Sequence, residues 1–291
     1  MLQFAELMSQ TSILQNPIAR AATPIVKWAG GKSASLAQIS SYFPKNGSYE
    51  RYFEPFIGGG AMFFRLQPHE SYLFDLNESL IELYQIVRDD VDHLIQALQK
   101  HHNDRDYFYE VRAKQPDTLS PVERAARFIF LNRTCYNGLY RVNRSGQFNV
   151  PFGRYKNPRI CDVDNLRAAS DALQKAHLEA ADFESLLSRA GRGDLIYFDP
   201  PYEPLSRTAN FTTYTSDGFT SDDQRRLANV FRTLDARGCM LMASNSSAPL
   251  IYELYDGYHI HEINVRRAIN SDPDGRGSIK ELLITNFRPV L

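Results

Sequence analysis

The chain has 291 residues and a formal net charge of −1, and 43% of its residues are hydrophobic. Such a composition supplies a core, so it excludes a disordered chain, and the length suits one large domain or two small ones. The longest apolar runs are far shorter than the roughly 20 residues that a membrane-spanning helix needs. Its three cysteines (Cys135, Cys161 and Cys239) form no CxxC pair, which favours reduced thiols, a cytoplasmic location and no zinc site.

Strands and helices alternate along most of the chain. Before residue 90 the pattern predicts a helix over 33–42, a strand over 51–55, a helix beginning at Met62, a strand over 71–75 and a helix over 77–88. After residue 165 it predicts strands over 177–182, 194–199 and 239–244, and helices over 222–237 and 249–255. Ser221 is the expected cap of the helix over 222–237. The chain then closes with an antiparallel pair over 258–265 and 280–287. This alternation predicts an α/β fold with a mainly parallel sheet and helices on both faces.

The stretch between these two parts has a different pattern. It predicts helices over 91–102, 106–114 and 121–132, followed by a β-hairpin that turns at Arg144, Ser145 and Gly146. We therefore expect residues 91–165 to be an insertion between strands of the sheet.

Basic residues concentrate in this insertion. Between residues 124 and 160 there are eight basic residues and no acidic one, whereas the rest of the chain has 25 basic and 34 acidic residues. The eight are Arg124, Arg127, Arg133, Arg141, Arg144, Arg154, Lys156 and Arg159. A basic segment on an otherwise acidic protein is typical of a nucleic-acid contact, although many charge runs only solvate a surface.

Two glycine-rich sequences suggest ligand-binding turns. Phe53 to Gly60 reads FEPFIGGG, a strand that runs into three glycines and then a helix, so that backbone amides can approach a ligand closely. The next strand ends in Asp75, at the place where α/β proteins bind a ribose diol. The other sequence, Lys27 to Ser33, ends in Gly-Lys-Ser but has Val26 where a phosphate-binding loop requires glycine, so we reject an ATP site.

The sequence Asp199-Pro200-Pro201-Tyr202 follows the predicted strand over 194–199. In open α/β sheets, ligands bind beyond the carboxyl ends of the strands. The two prolines fix the backbone and leave carbonyls that can only accept hydrogen bonds. A carboxylate, a carbonyl and an aromatic ring could together stack on a planar ring and accept hydrogen bonds from its amino group. A rigid turn without a functional role is the alternative.

With these motifs in this order, the chain resembles the Dam-type DNA adenine methyltransferases (D12 class, alpha group). WAGGK, FEPFIGGG, Asp75 and DPPY carry the resemblance, and so do NRTCYNGLYRVN and QFNVPFGRYKNP in the insertion. It implies a Rossmann-like methyltransferase sheet, S-adenosyl-L-methionine as cofactor and methylation of the N6 amine of adenine in duplex DNA. The implied domains are a catalytic domain over 25–90 and 166–291 and a DNA target-recognition domain over 91–165. Residues 1–24 are an N-terminal extension with no assigned role and no secretory-signal pattern.

The resemblance also implies site residues. Asp199, Pro200 and Tyr202 would be catalytic. The cofactor would be bound by Trp28, Lys32, Phe56, Gly58, Gly60, Asp75, Asp182, Phe183 and Asp199. DNA would be bound by Lys27, Tyr136, Asn137, Leu139, Arg141, Pro151 and Arg154. The target that best fits this hairpin is GATC, and a cognate restriction endonuclease in a bacterial or phage setting is a possible partner. No metal is expected.

The chemistry expected of these residues is direct methyl transfer. If Asp199 and the Pro200 carbonyl each accept an N–H of adenine, the nitrogen lone pair turns towards the sulfonium methyl group. Tyr202 would stack on the base, which must be flipped out of the duplex to reach this site. Methylation of cytosine, methylation of RNA and DNA binding without catalysis are the alternatives.

Overall fold

Seven strands form one sheet in the computed structural model, which describes residues 21–32, 35–143, 145–205, 218–266 and 278–289. They are β1 (Tyr52–Glu54), β2 (Ser71–Asp75), β3 (Ala176–Ala180), β4 (Leu195–Phe198), β5 (Met240–Ser246), β6 (His259–Arg266) and β7 (Ser278–Thr285). Their order across the sheet is β3-β2-β1-β4-β5-β7-β6. The first five are parallel, while β7 runs antiparallel to β5 and β6. The predicted α/β sheet and its closing antiparallel pair are therefore confirmed.

The strand order makes one place on the sheet suitable for a ligand. From β1 the chain moves outward to β2 and β3, and it later returns to the other side of β1 with β4 and β5. The connections after β1 and β4 therefore leave in opposite directions and open a crevice at the carboxyl edge of the sheet. The glycine-rich turn follows β1 and Asp199 follows β4, so both face this crevice.

Nine helices accompany the sheet in the described part of the chain. They are α1 (Leu36–Ser40), α2 (Ala61–Leu66), α3 (Glu78–Asp89), α4 (Val91–Leu98), α5 (Arg105–Ala113), α6 (Pro121–Thr134), α7 (Val163–Leu173), α8 (Ser221–Ala236) and α9 (Pro249–Leu254). Short 3-10 turns cover Pro116–Thr118, Tyr136–Gly138 and Phe183–Ser188. None of these helices is long and apolar enough to cross a membrane.

Reciprocal capping bonds fix where two of the helices begin. Ser120 and Glu123 form a capping box at α6, with Pro121 as the first helical residue. Thr220 and Asp223 form the same arrangement at α8. The predicted cap of α8 was thus one residue late: Ser221 is the first residue of the helix, and the side chain of Thr220 accepts the Asp223 N–H.

The sequence patterns missed α7 and overstated two other elements. α7 is polar, but its buried Leu166, Ala169 and Leu173 recur at helical spacing and pack against α3 and α4. The predicted helix over 33–42 shortens to α1. The predicted hairpin is joined by two isolated bridges, Cys135 with Phe152 and Val142 with Phe148, rather than by regular strands.

The core lies on both faces of the sheet. One face packs against α8 and α9, and the other packs against α2, α3, α4, α6 and α7 in a single cluster. Because α4 and α6 share this cluster, the helical part of the insertion packs directly on the sheet domain. A smaller cluster, which includes Phe108, Phe130 and Phe148, supports the hairpin. The insertion is therefore attached firmly at its base.

Candidate active site

The glycine-rich turn after β1 requires glycine for a steric reason. Gly58 and Gly60 have positive φ angles of 46° and 69°, which other residues rarely adopt. A Cβ on Gly58 would lie 2.7 Å from Cδ1 of Trp28, so the indole packs directly on this turn. The hydroxyl of Tyr84 in α3 donates to the Gly58 carbonyl at 2.8 Å and so fixes the turn. The structure thus brings together the WAGGK and FEPFIGGG sequences, two predicted parts of one site.

Asp75, at the end of β2, is bonded to the same turn. Its Oδ2 accepts the Gly58 N–H and its Oδ1 accepts the Asn77 N–H, both at 3.0 Å. Burial raises the pKa of Asp75, and these backbone N–H bonds oppose that rise by stabilising the carboxylate. The carboxylate therefore sits at the crevice in a fixed orientation.

Aromatic rings line the same edge beyond β3. The ring of Phe56 lies 5.6 Å from that of Phe183 and 5.7 Å from that of Phe219. Asp182 caps the 3-10 turn that begins at Phe183, and its Oδ1 lies 3.2 Å from Nη2 of Arg226. The predicted residues Phe56, Asp182 and Phe183 are therefore close together.

Sequence reasoning missed three residues at this place. Phe219 completes the ring cluster, the Arg226 guanidinium lies 4.8 Å from the Phe183 centroid, and Leu76 is 68% exposed beside Asp75. The only available signal was for Leu76, an apolar residue directly after an acidic strand end. Phe219 and Arg226 reach the site only because α8 packs against the 3-10 turn.

Lys32 and Asp199 form an ion pair, with Nζ 2.6 Å from Oδ1. Only 7% of the Lys32 side chain and 19% of the Asp199 side chain are exposed. Burial raises the pKa of Asp199, and the Lys32 ammonium counteracts that rise. The same ammonium donates to the Gly30 carbonyl at 3.0 Å and lies 4.7 Å from the centroid of the Tyr202 ring. A protonated amine thus already lies close to both a carboxylate and the face of an aromatic ring.

Side chains that the sequence did not indicate hold the DPPY turn. Gln224 donates to the Pro201 carbonyl at 2.9 Å and in turn accepts from Asn245 at 3.0 Å. The Tyr202 hydroxyl donates to Oε2 of Glu281 at 3.1 Å. Among the described residues, none donates a hydrogen bond to the Pro200 carbonyl. The turn is braced by α8, β5 and β7, while the carbonyl predicted to act on substrate is left open.

A buried carboxyl group lies close behind this ion pair. Glu54, at the end of β1, is 2% exposed and accepts a 2.8 Å hydrogen bond from the Tyr52 hydroxyl. Burial raises the pKa of Glu54 to about 8, and the nearby charge of Asp199 adds to the rise. The carboxyl group of Glu54 is therefore mainly protonated at neutral pH.

The predicted DNA residues lie on residues 135–159, which we name the recognition segment, and on Lys27. Tyr136, Asn137, Pro151 and Arg154 are exposed, and Leu139 is half-buried. Arg141 donates from Nε to Oδ1 of Asn149 at 2.6 Å, across the hairpin. The Lys27 ammonium lies 4.0 Å from the centroid of the Tyr155 ring. The Tyr136 N–H donates to the Pro151 carbonyl at 2.8 Å, so the structure brings these two predicted DNA residues together.

Three of the eight basic residues counted in the sequence have a structural role instead. Arg124 pairs with Glu82, Arg127 donates to the Val111 and Arg112 carbonyls, and Arg133 donates to the Ile25 carbonyl. These guanidiniums fix α6 to its neighbours. Arg144, at the tip of the predicted turn, lies outside the described residues. The basic surface that remains for a polyanion is therefore smaller than the sequence suggested.

Comparison with known proteins agrees with this geometry. The family model of the D12 class N6 adenine-specific DNA methyltransferases matches residues 28–269. The chain belongs to this family.

Relatives of the D12 class align over almost their whole length. The chain is 44% identical over 285 residues to the type II methyltransferase M.MjaIII of Methanocaldococcus jannaschii, covering 91% of this chain and 99% of that protein. It is 43% identical over 272 residues to the type II methyltransferase M1.LlaDCHI of Lactococcus lactis subsp. cremoris, covering 91% and 95%. It is 37% identical over 262 residues to the DNA adenine methylase of Escherichia coli K12, covering 89% and 93%.

Membership of the D12 class has direct consequences. The chain is an adenine-specific DNA methyltransferase with a Rossmann-like fold, its substrate is DNA and its cofactor is S-adenosyl-L-methionine. Among the described residues, no group of three or more His, Cys, Asp or Glu side chains could hold a metal ion.

Proposed function

We propose that this methyltransferase modifies the N6 amine of a flipped-out adenine in duplex DNA, within the sequence GATC. The observation that carries the proposal is the ion pair between Lys32 and Asp199 under the Tyr202 ring. A protonated amine already pairs with the Asp199 carboxylate there, so the amino group of an adenine fits the same position.

The residues around the glycine-rich turn fit S-adenosyl-L-methionine. Gly58 leaves room for no side chain beside Trp28, so backbone can approach a ligand closely there. Asp75 places a carboxylate where ribose hydroxyls can donate to it, and Phe56 and Phe183 offer an aromatic surface for the cofactor's adenine. Asp182 would accept a hydrogen bond from that adenine. The bound cofactor supplies the electrophilic methyl group on its sulfonium.

Asp199 and the Pro200 carbonyl are the groups that activate the substrate amine. The lone pair of an adenine amine is delocalised into the ring, which makes the amine a poor nucleophile. Two acceptors fixed at the end of β4 would each accept a hydrogen bond from one N–H of the amine and so draw its nitrogen towards tetrahedral geometry. Tyr202 would hold the adenine ring by stacking. Because Gln224 and Asn245 fix the turn in advance, little reorganisation is needed during the reaction.

Burial of the acceptor supports base flipping. Only 19% of the Asp199 side chain is exposed, at the end of β4 beside the crevice between the connections after β1 and β4. An adenine stacked within a duplex cannot bring its amino group to such a position, whereas an extruded base can.

The recognition segment and Lys27 would contact the DNA. We assign DNA contacts to Lys27, Tyr136, Asn137, Leu139, Arg141, Pro151 and Arg154, with Arg141 reading a base and Arg154 holding a phosphate. Similarity of YNGLYRVN and QFNVPFG to the Dam-type recognition hairpin supports GATC. The two type II relatives support a restriction endonuclease as a cellular partner, and we place the enzyme in the cytoplasm with its DNA.

The alternative substrates fit less well. The cytosine-modifying enzymes that share this motif usually carry serine at the position of Asp199. A catalytically inactive DNA-binding protein would have no need for the braced DPPY turn.

Methylation of a plasmid in vitro, followed by sequencing of the modified positions, tests this proposal. We expect N6-methyladenine at GATC and at no other tetranucleotide when enzyme is limiting. Modification of a different sequence would overturn the GATC assignment, and modified cytosine would overturn the assigned chemistry.

A further inference from the structure

The side chain of Asn132 joins the backbone of Lys27, next to Trp28, to the recognition segment. Asn132 lies in the last turn of α6 and is fully buried. Its Oδ1 accepts the Lys27 N–H at 2.8 Å, and its Nδ2 donates to the Lys27 carbonyl at 2.8 Å and to the Gly138 carbonyl at 2.9 Å. One amide therefore satisfies two backbone groups of Lys27 and one of Gly138, residues that are more than 100 positions apart in the chain.

Each end of this bridge lies next to a predicted binding group. Lys27 precedes Trp28, whose indole packs on the Gly58 turn at the cofactor side. Gly138 ends the 3-10 turn that presents Tyr136 and Asn137 on the DNA side. Any shift of the Lys27 backbone must therefore either move the Tyr136–Gly138 turn or break hydrogen bonds of a buried amide.

Packing around the bridge adds direct contacts between its two ends. The Trp28 indole stacks on the Tyr140 ring, with centroids 5.7 Å apart. A Cβ on Gly138 would lie 2.2 Å from Cδ of Lys27, so this glycine admits the lysine side chain. Trp28 and the Tyr136–Gly138 turn are therefore held close to each other by packing as well as by the hydrogen bonds of Asn132.

We propose that Asn132 is a positioning residue that couples cofactor binding to DNA binding. The inference rests on the proposed function, because it needs the cofactor at Trp28 and DNA at Tyr136. A ligand that selects one placement of the Lys27–Trp28 backbone also selects one placement of the recognition turn. Linkage makes this reciprocal, so DNA must tighten cofactor binding by the same factor as the cofactor tightens DNA binding.

The chain offers a matched control in Asn165. Its buried side chain accepts the Thr23 N–H at 2.9 Å and donates to the Thr23 carbonyl at 3.0 Å. Asn165 in α7 therefore bonds both backbone groups of Thr23, as Asn132 bonds both backbone groups of Lys27. Unlike that of Asn132, its side chain makes no hydrogen bond to the described residues of the recognition segment. A purely structural role for Asn132 would make the two substitutions equivalent.

The test compares the full-length wild type, Asn132→Ala and Asn165→Ala. Calorimetry measures the Kd of S-adenosylhomocysteine, which cannot transfer a methyl group, with and without a saturating GATC duplex. We expect a linkage factor of about tenfold in the wild type and in Asn165→Ala, and of about one to twofold in Asn132→Ala. Plasmid methylation, measured separately, reports on the proposed function itself.

Three outcomes would overturn the inference while leaving the proposed function in place. They are a wild-type enzyme that methylates GATC without linkage, an Asn132→Ala variant with the wild-type linkage factor, and an equal loss of linkage in Asn165→Ala. Thermal unfolding checks that each variant is folded. If Asn132→Ala fails to fold, Asn132→Ser replaces it, because a serine hydroxyl is too short to bridge Lys27 and Gly138 and the same loss of linkage is expected.

Discussion

The carboxyl edge of the sheet and the recognition segment hold their side chains in opposite ways. At the sheet edge, Asp75, Asp199 and Tyr202 each bond to a partner from another element. In the recognition segment the hairpin is joined by isolated bridges, and Tyr136 and Arg154 point into solvent. Under the proposed function, chemistry that depends on exact geometry would lie on the rigid sheet, and contacts that adapt to DNA would lie on a loop joined by isolated bridges.

The largest expected effect is a loss of turnover, from a substitution at the carboxyl edge of the sheet. Asp199→Ala removes a charged acceptor aimed at the reacting amine, so turnover should fall by about 10²-fold or more while DNA affinity stays within a few-fold of wild type. Single-turnover methylation and a DNA-binding titration measure the two quantities. Near-normal turnover on GATC DNA would contradict the assigned mechanism.

Glu54 tests how much a buried carboxyl group at the carboxyl edge of the sheet lowers the free energy of unfolding. Its folded-state pKa of about 8 lies above its ordinary value of 4.5. The unfolded chain can therefore ionise this group at a lower pH than the folded chain, and the resulting loss of folding free energy is absent below pH 4.5 and grows until about pH 8. Glu54→Gln should therefore stabilise the fold at pH 7 by about 3 kcal/mol and have little effect at pH 4.5. Urea unfolding at the two pH values measures this difference. An equal gain at both would show that the carboxyl group does not titrate as described.

Asp75 tests whether the turn and the cofactor share one carboxylate. Loss of hydrogen bonds to a charged group costs about 1.5–3 kcal/mol, so Asp75→Ala should weaken S-adenosyl-L-methionine binding by roughly ten- to a hundredfold. Asp75→Asn, which keeps an oxygen for the Gly58 N–H, is the control and should weaken it less. Calorimetric affinities that do not change in either variant would remove Asp75 from the site.

On the recognition segment, two arginines should separate base reading from backbone holding. The Arg141 guanidinium donates to Asn149 across the hairpin. If it pairs with a guanine edge, such a contact discriminates by about 1–3 kcal/mol. Arg141→Ala should therefore relax specificity at one base pair. Methylation rates on GATC and its single-base variants measure this, and an equal loss on every substrate would leave Arg141 no role in reading sequence.

Arg154 is the matched comparison for Arg141. It is exposed, and a phosphate contact carries no sequence information. Arg154→Ala should weaken binding to all sequences alike and reduce the magnitude of the salt slope by about 1. A change in specificity with an unaltered salt slope would reverse the roles of the two arginines.

The smallest effect concerns Glu281, which holds the Tyr202 hydroxyl. Glu281→Gln keeps an acceptor but removes its charge, so turnover should change by only about two- to tenfold, the equivalent of one ordinary hydrogen bond. Tyr202→Phe, which removes the hydroxyl, should give a similar change, and the double variant should add little to it. Additive losses would show that the two residues act separately.

The sequence by itself determined the sheet, the order of its motifs and the family. Short apolar runs that end in Asp75 and Asp199, and the glycines after β1, are local signals, since period, caps and turn chemistry depend only on neighbouring residues. The same local rules missed the polar α7, where long-range packing decides the outcome, and overstated the regularity of the hairpin, which isolated bridges join.

Only the tertiary structure decided which distant residues share a site. The ion pair of Lys32 with Asp199, the bracing of the turn by Gln224 and Glu281, and the internal use of Arg124, Arg127 and Arg133 join positions far apart in the chain. A charge count cannot separate a buried arginine that satisfies carbonyls from an exposed one that meets DNA. Burial and partner geometry make that distinction, and both arise only when α6, α8 and β7 pack onto the sheet.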